Sequence, residues 1–538
     1  MQFVKNYKTQ LLFLTLLLFT ILLRVINIGS WPDGLNQDEA SIGYDAWSIL
    51  NYGIDRNGNS YPVHLVAWGS GQNALYAYII MPFIAIFGLN EFSIRLPMAI
   101  FSILSVVAIY FIMKQFFGKK VAFIAMALYS FNPWTIMSAR WCIESSLYPM
   151  LFILALWTLV ASLKHKSFVY LAAILLSASL YSYGPAYLVT TLFCFLAFIY
   201  FIVKKLVPLK HLITAGILFL LLSSPIYLFV LINTFDLQQI KLFNLITIPK
   251  EYNRMGHILQ GQSISTIIEN IFTVFIFQYD VQNRCSLQNP LWGCIYFISI
   301  PFWIYGMYKT FKKRNHLTVL LTILSAVSFA LIFIFAWVNT NRIGIIYVPI
   351  VLFASIGIYE FTQKKKKFFY FTLAAYSLLF ISFCFIYFTP SYLESDSVIN
   401  QFVPTYREAL AKAEELDDDN KKTIYIDAPV NMPYVYNLFY NKTNPYDFIN
   451  NVIWYNKNDE FDAVYSCGNY IYSDSYIRQQ QIEHKNMEIT PYSGDFTLSG
   501  IHILLKNSKE VEKLNKTIKK EDINSMYEFK NFLVIDVK

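Results

Sequence analysis

The sequence contains few charged residues. Only 14% of its 538 residues are Asp, Glu, Lys or Arg, and 56% are hydrophobic, whereas soluble domains carry about 25% charged residues. A single soluble core cannot bury that much apolar side chain. The apolar residues are also concentrated in runs, such as 11–23 and 317–337, that approach the length needed to cross hydrocarbon. The composition therefore excludes an ordinary soluble protein and predicts a polytopic membrane protein.

The chain also lacks the motifs of nucleotide and metal chemistry. It has no Gly-x-x-x-x-Gly-Lys, no Gly-x-Gly-x-x-Gly and no His-Glu-x-x-His. Its six cysteines form neither a metal-binding spacing nor a disulfide framework, although Cys285 and Cys294 share one predicted loop, where they either pair or stay free thiols. The net charge of +8 does not indicate a nucleic-acid partner, because the lysines cluster between apolar runs.

Hydropathy predicts about eleven membrane spans. They lie at residues 9–27, 97–116, 120–138, 146–163, 168–183, 186–203, 211–232, 290–309, 317–336, 344–361 and 368–388. With this count, every basic tract between spans falls on the same side as Lys5 and Lys8. Basic loops stay in the cytoplasm. We therefore predict an uncleaved first helix in the cytoplasmic membrane, with a cytoplasmic N-terminus and an extracytoplasmic C-terminal segment.

The apolar stretch 74–89 would reverse this pattern if it crossed the membrane, so we predict an interfacial or re-entrant helix there. Residues 28–96 then form one external loop, and residues 233–289 form a second. The prediction is a transmembrane domain over 1–390 and a small α/β extracytoplasmic domain over 391–538, where the composition becomes polar. The helix and strand signals of that domain fall at residues 406–416, 423–427, 461–467, 501–505 and 532–537.

An acidic motif follows the first predicted span. Residues 36–47 read Asn-Gln-Asp-Glu-Ala-Ser-Ile-Gly-Tyr-Asp-Ala-Trp and include the adjacent acids Asp38 and Glu39. A partly buried carboxylate takes a raised pKa and can act as a general base, so Asp38 could deprotonate an acceptor hydroxyl. The alternative is a helix start, because Asn36 or Asp38 makes a good N-cap and acids favour the first helical turn.

Three further motifs follow in the chain. Residues 53–58 read Gly-Ile-Asp-Arg-Asn-Gly, residues 75–78 read Leu-Tyr-Ala-Tyr, and residues 87–97 read Phe-Gly-Leu-Asn-Glu-Phe-Ser-Ile-Arg-Leu-Pro. Together with the acidic motif, they resemble the protein-O-mannosyltransferase and aminoarabinose-transferase superfamily of GT-C-fold glycosyltransferases. From about residue 160 to 390 the resemblance is only in the pattern of spans. It implies an α-helical polytopic protein of the GT-C type, with juxtamembrane helices in the first external loop.

This resemblance implies that Asp38 is the catalytic base, with Glu39 beside it, and that the sugar donor is linked to polyprenyl phosphate. We assign substrate-binding roles to four residues of the same loop, which are Tyr44, Asp45, Gln72 and Asn73. The last two stand where aminoarabinose transferases carry a Glu-Lys pair. Because of that difference, neither a metal ligand nor the same donor sugar is assigned, and a divalent metal stays open as a cofactor.

A lipid-phosphate donor needs cations near the outer membrane surface to hold the phosphate as it leaves. Arg95, Arg140, Arg342 and His257 are predicted there and are assigned to the donor phosphate. The resemblance supports Arg95 and Arg342 in particular, each of which precedes a predicted span. The alternatives are that the arginines extend to lipid headgroups, that Arg140 pairs with Glu144 one helical turn away, and that His257 is a plain surface residue.

The sequence therefore predicts an inverting membrane glycosyltransferase. It would move a hexose or pentose from a polyprenyl-phosphate donor to an acceptor hydroxyl, with membrane lipids and a glycan, lipid or protein acceptor as partners. One alternative is a transporter or flippase, which should place ionisable residues inside its spans and matched broken helices in two halves. Another is a cell-surface polysaccharide polymerase or ligase, a class without the early Asp-Glu motif.

Overall fold

The computed structural model of the protein describes residues 2–67, 71–251, 263–278, 292–312, 314–335, 338–417, 419, 421–428, 430–457, 462–473, 492 and 494–538. The chain divides by its internal contacts into two compact units. The helical unit comprises residues 1–28, 95–228 and 255–389, and the mixed unit comprises residues 29–94, 229–254 and 390–538. The boundary between domains that the sequence predicts at residue 390 stays a prediction.

Helices dominate the chain up to residue 389. They are α1 (Gln2–Val25), α2 (Gln37–Tyr52), α3 (Leu75–Phe87), α4 (Glu91–Ser130), α5 (Pro133–Ala139), α6 (Glu144–Ala161), α7 (Phe168–Leu180), α8 (Ala186–Val203), α9 (Leu209–Thr234), α10 (Ile264–Phe272), α11 (Ser299–Lys312), α12 (His316–Ile334), α13 (Thr340–Ile343), α14 (Tyr347–Thr362) and α15 (Lys366–Tyr387). Among the described residues, eight apolar helices are long enough to cross a membrane, α13 and α14 counting as one. The chain is a multi-pass membrane protein.

Each predicted span overlaps at least one of these helices, although the span 290–309 overlaps α11 only from Ser299 onward. The predicted number of spans, eleven, stays a prediction. The predicted spans 97–116 and 120–138 fall on the two halves of α4, which is broken at Gly118 (φ 80°, ψ 176°), and the second span continues into α5. Only glycine adopts this φ without a steric penalty. Helices α7 and α11 have 13 and 14 residues, so they are shorter than a standard span of about 20.

Helix α3 occupies the stretch that would have reversed the charge pattern. Its 13 residues rise about 20 Å, which is less than the roughly 30 Å of a hydrocarbon core. Helix α7, which overlaps a predicted span, has the same length, so the exclusion of α3 rests on the charge pattern. Its place in the membrane interface stays a prediction.

Helices α11 and α14 of the helical unit cross with their backbones in contact. A Cβ atom built on Gly306 would collide with the carbonyl oxygen of Phe353, and one built on Gly357 would collide with that of Phe302. Small residues allow membrane helices to approach this closely and to gain van der Waals contact along both backbones. The two glycines therefore fix the crossing of α11 and α14.

We expect Gly306→Ala to destabilise the helical unit, because the added methyl group meets a backbone carbonyl that cannot move away without shifting α14. Overpacking of this kind costs about 1–3 kcal/mol, measured as a lower melting temperature in detergent. Gly216→Ala is the matched control, since a Cβ there would lie 3.8 Å from the Phe198 ring, an ordinary contact. Equal melting temperatures for the two variants would contradict the close crossing.

The C-terminal part of the mixed unit is an α/β structure. Its helices are α16 (Pro390–Leu393), α17 (Asp396–Phe402), α18 (Tyr406–Leu416), α19 (Pro433–Asn441), α20 (Pro445–Asn451) and α21 (Lys509–Thr517). The strands of the mixed unit are β1 (His64–Leu65), β2 (Gln72–Asn73), β3 (Ile240–Leu242), β4 (Ile246–Ile248), β5 (Ile424–Ile426), β6 (Val452–Asn456), β7 (Ala463–Cys467), β8 (Tyr470–Tyr472), β9 (Gly500–Leu505), β10 (Ile523–Glu528) and β11 (Phe532–Val537). The predicted helix 406–416 and the predicted strands near 424, 464, 501 and 532 are confirmed.

Seven of these strands form one sheet in the order β10-β11-β9-β5-β8-β7-β6. Strand β5 runs parallel to β8 and β9, and the other neighbours are antiparallel. Strand β11 is buried along its whole length, whereas the edge strand β10 alternates half-buried and exposed residues. This is the pattern of a sheet with a covered centre and one edge in water.

Candidate functional site

The acidic motif lies at the start of α2, in the mixed unit. The side chain of Asn36 accepts a hydrogen bond from the Asp38 backbone N–H at 3.0 Å, and the Glu39 carboxylate accepts one from the Asn36 backbone N–H at 3.1 Å. This is a reciprocal capping box, which satisfies two N–H groups that the helix itself cannot pair. Glu39 has no exposed surface, whereas Asp38 is half-buried. Asn36 and Glu39 thus cap the helix, and Asp38 is the carboxylate of this pair with accessible surface.

Two turns further along α2, Asp45 makes a buried ion pair with Arg56. The Arg56 Nη2 atom lies 2.8 Å from Asp45 Oδ2, the Nε atom lies 3.2 Å from the same oxygen, and the Arg56 backbone N–H donates to Oδ1 at 3.1 Å. Both side chains are 1% exposed. Burial raises the pKa of the Asp45 carboxyl, and the charge of Arg56 opposes that rise. The pair fastens the loop after α2 to the helix.

The same network reaches the short β-hairpin of the first external loop. Arg56 Nη2 also donates to the hydroxyl of Ser41, and that hydroxyl donates to the Gln72 side chain at 2.7 Å. Gln72 and Asn73 form β2, which pairs with β1. Tyr44 donates its hydroxyl to the Thr443 carbonyl at 2.6 Å. The four predicted substrate-binding residues therefore lie in one unit with Asp38, their side chains are buried, and their substrate contacts stay predictions.

A third acid, Asp55, closes the turn between α2 and the hairpin. Its Oδ1 atom accepts hydrogen bonds from the backbone N–H groups of Asn57 at 2.9 Å and Asn59 at 2.8 Å. Burial and then the negative charge of Asp45 raise the pKa of Asp55 to about 7, against the opposing hydrogen bonds from Asn59 and Asn57. Folding therefore favours the protonated form of this carboxyl.

We expect the stability of the mixed unit to depend on pH through Asp55. A carboxyl whose pKa is raised in the folded state stabilises the fold fully below about pH 4 and loses that contribution as the pH rises to about 7. The wild-type melting temperature should consequently fall relative to that of Asp55→Asn between pH 4 and 7, by the equivalent of roughly 2–4 kcal/mol. A constant difference between the two proteins over this range would contradict the raised pKa.

Two predicted external loops meet at His64 and Glu251. The His64 Nδ1 atom lies 2.8 Å from Glu251 Oε1, and the His64 ring stacks on Phe229 with 4.2 Å between ring centroids. The Val63 backbone N–H donates to the Thr247 carbonyl at 3.0 Å. The residues before α3 are therefore anchored to the segment after α9. This pair was not predicted from the sequence, because the partners are 187 positions apart and neither belongs to a motif.

The predicted phosphate-binding arginines lie in the helical unit, and two of them are buried at the C-terminal end of α1. Arg95 donates to the Ile28 carbonyl at 3.3 Å, and Arg140 donates to the Leu23 and Ile26 carbonyls at 3.1 and 2.7 Å. Helix C-terminal carbonyls carry partial negative charge and need donors. Burial lowers the pKa of Arg140, and the Tyr387 hydroxyl opposes this effect.

Arg342 differs from these two because its side chain is half-buried rather than buried. Its guanidinium lies 5.7 Å from the centre of the Phe335 ring, and its backbone N–H is capped by the Asn339 side chain at 2.8 Å. His257 lies outside the described residues, as does Cys285. The phosphate-binding roles of all four predicted residues stay predictions. Within the described ranges, no group of three His, Cys, Asp or Glu side chains could hold a metal ion.

Arg24, which was not among the predicted site residues, is fully buried near the end of α1. Its Nε donates to the Ser102 hydroxyl at 2.7 Å, and its Nη1 donates to the Ser130 carbonyl at 3.1 Å. These neutral acceptors join α1 to both halves of α4. In the sequence, Arg24 is a charged residue at the end of an apolar run. Such a residue is usually assigned to the membrane interface rather than to a buried network.

Comparison with known proteins agrees with this architecture. Residues 72–229 match the family model described as dolichyl-phosphate-mannose-protein mannosyltransferase. The fold is similar to that of ArnT from Cupriavidus metallidurans in the apo state, with a TM-score of 0.53 and 10% sequence identity over 99% of this chain and 98% of that one. It is also similar to the same protein bound to undecaprenyl phosphate, with a TM-score of 0.55 and 12% identity over 98% of this chain and 97% of that one. A further similar fold is that of the apo oligosaccharyltransferase of Archaeoglobus fulgidus, with a TM-score of 0.50 and 13% identity over 82% of this chain and 64% of that one. No curated protein matches by sequence.

The fold therefore defines the class, which is a membrane protein with the GT-C fold. More particularly, the chain is a GT-C-fold protein similar to the mannosyltransferase and aminoarabinose-transferase superfamily, with an ArnT-like arrangement over nearly its whole length. The resemblance and the fold class predicted from the sequence are confirmed.

Proposed function

We propose that the protein is a glycosyltransferase that moves a sugar from a polyprenyl-phosphate donor to an acceptor hydroxyl on the extracytoplasmic face of the cytoplasmic membrane. The observation that carries the proposal is the half-buried Asp38, next to the buried capping residue Glu39, at the start of α2 in a GT-C fold. The similarity of residues 72–229 to a mannosyltransferase family and the undecaprenyl phosphate bound by ArnT support the donor class.

In the proposed reaction, the acceptor oxygen attacks the anomeric carbon of the sugar. The bond from that carbon to the phosphate oxygen breaks, and the polyprenyl phosphate leaves with the electron pair. Asp38 takes the proton of the acceptor hydroxyl, and a single displacement inverts the anomeric carbon. General-base assistance of this kind contributes about 10²–10⁴-fold to the rate.

The remaining assigned residues serve binding in this proposal. Arg95 and Arg342 stabilise the departing phosphate, with Arg140 and His257 as further phosphate-binding residues. Tyr44, Asp45, Gln72 and Asn73 shape the substrate site. Asp45 acts through its ion pair with Arg56 (2.8 Å), which holds α2 in place, and Gln72 acts through its contact with Ser41 (2.7 Å).

The topology in this proposal places the N-terminus in the cytoplasm and the C-terminal segment outside. It follows from the basic tracts at 309–314 and 364–367, which belong to cytoplasmic loops by the positive-inside rule. A protease or a membrane-impermeant thiol reagent applied to intact cells should reach a tag at the C-terminus and not one at the N-terminus.

The experiment that tests the function is sugar transfer in membranes that contain the protein. A panel of radiolabelled polyprenyl-phosphate sugars is supplied, and label is followed into lipid, glycan and protein fractions. We expect at least one donor to label one fraction only when the protein is present. Absence of transfer across the panel, together with flux of a labelled solute, would replace this proposal with a transporter.

A further inference from the structure

The C-terminal segment covers the acidic helix within the mixed unit. A Cβ atom built on Gly43 of α2 would lie 2.6 Å from the Phe439 ring of α19, so the two helices pack where α2 has no side chain. The Tyr44 hydroxyl donates to the Thr443 carbonyl at 2.6 Å, just after α19 ends. The Tyr440 hydroxyl donates to Glu91 at 3.2 Å. Three contacts therefore hold α19 and the residues just after it against the first external loop.

One side chain of α19 is buried without the hydrogen bond that its chemistry requires. Tyr436 is 1% exposed, and its hydroxyl has no hydrogen-bond partner among the residues that the structure describes. The neighbouring tyrosine Tyr406, whose ring centroid lies 5.7 Å away, donates its hydroxyl to the Asn437 side chain at 2.8 Å. Leaving a buried hydroxyl unpaired is unfavourable, so the Tyr436 hydroxyl is available to a ligand.

Tyr436 lies on the same face of α19 as Phe439 and Tyr440, three and four residues further on, so it faces α2 and the first external loop. Burial, followed by the negative charges of Asp38 and then Glu39, raises the pKa of Tyr436 well above its ordinary value. The phenol therefore stays protonated and is available as a hydrogen-bond donor at any physiological pH. The adjacent carboxylates, when ionised, can only accept. The Tyr436 phenol can therefore donate, and the carboxylates of the acidic motif can accept, on the side of α19 that packs against α2.

We propose that Tyr436 binds the acceptor substrate, by donating its hydroxyl hydrogen bond to an oxygen of the acceptor next to Asp38. A hydroxyl-bearing acceptor suits this arrangement, because one hydroxyl can donate to the Asp38 carboxylate while oxygen lone pairs accept from Tyr436. A protonated amine has no lone pair and would leave Tyr436 unpaired. The inference rests on the proposed function, and it gives the C-terminal segment a direct part in choosing the acceptor.

The test compares Tyr436→Phe with Tyr406→Phe. Purified protein is assayed with a radiolabelled polyprenyl-phosphate sugar and a dilution series of membrane extract from the source cells as acceptor. For Tyr436→Phe we expect the half-saturating amount of extract to rise about tenfold, because a site built to bind an oxygen loses its donor. The half-saturating donor concentration should be unchanged, and the melting temperature unchanged or higher, because no internal hydrogen bond is lost.

Tyr406→Phe should give the opposite result, since it removes a paired hydroxyl and leaves the Asn437 oxygen without that bond. We expect its melting temperature to fall and its acceptor dependence to stay as in the wild type. Unchanged acceptor dependence in Tyr436→Phe, or a loss of stability as large as that of Tyr406→Phe, would overturn the inference while leaving the proposed function intact. A wild-type protein without any transfer would overturn both.

Discussion

Asp38→Asn should reduce sugar transfer strongly while the protein still folds. Asparagine has nearly the same size and can still accept a hydrogen bond, but it cannot take a proton, so the reaction loses its general base. The expected decrease in the rate constant is about 10²–10⁴-fold at saturating donor and acceptor. Label transfer measures the rate, and binding of the labelled donor should stay at the wild-type level, because Asp38 acts on the acceptor.

Glu39→Gln is the matched control for this experiment. Glutamine also completes a capping box, so it preserves the hydrogen bond that Glu39 makes to the Asn36 backbone N–H at 3.1 Å. We expect this variant to keep its melting temperature and to lose much less activity than Asp38→Asn. Transfer at the wild-type rate in Asp38→Asn, with normal protein levels, would refute the assignment of the base. An equal loss in both variants would mean that the two acids act as one group.

Local features of the structure follow from local features of the sequence. The break of α4 at Gly118 lies between two predicted spans, because a glycine follows one apolar run and a pair of lysines precedes the next. The helix cap by Asn36 was one of two alternatives for the acidic motif. The structure has this cap and also leaves Asp38 with accessible surface. Strand β11 was visible as six consecutive residues dominated by apolar side chains near the end of the chain.

Partners distant in the sequence could not be predicted in the same way. The pair of His64 and Glu251 depends on how two loops fold together, and a single histidine or glutamate carries no information about its partner. Arg95 and Arg140 illustrate a different difficulty. A guanidinium binds a phosphate and the carbonyls at a helix end through the same N–H groups, and only the structure shows that both side chains donate to carbonyls at the end of α1.

The buried pair of Asp45 and Arg56 should dominate the stability of the mixed unit. Asp45→Asn leaves a guanidinium that is 1% exposed without its counter-charge, and breaking a buried ion pair on one side costs about 3–5 kcal/mol. We expect a large fall in the melting temperature in detergent. The double variant Asp45→Leu with Arg56→Met should recover most of that loss. Apolar side chains of similar size then replace both charges, so no unpaired guanidinium stays buried.

This comparison also separates the two roles that Asp45 could have. If Asp45 only fastens the loop after α2, the double variant should regain transfer along with stability, because α2 and Asp38 return to their places. If Asp45 binds substrate, as predicted from the sequence, the double variant should be stable but impaired in transfer. A single variant Asp45→Asn with wild-type stability and no transfer would show that the ion pair contributes little to the fold, and that its carboxylate serves the substrate directly.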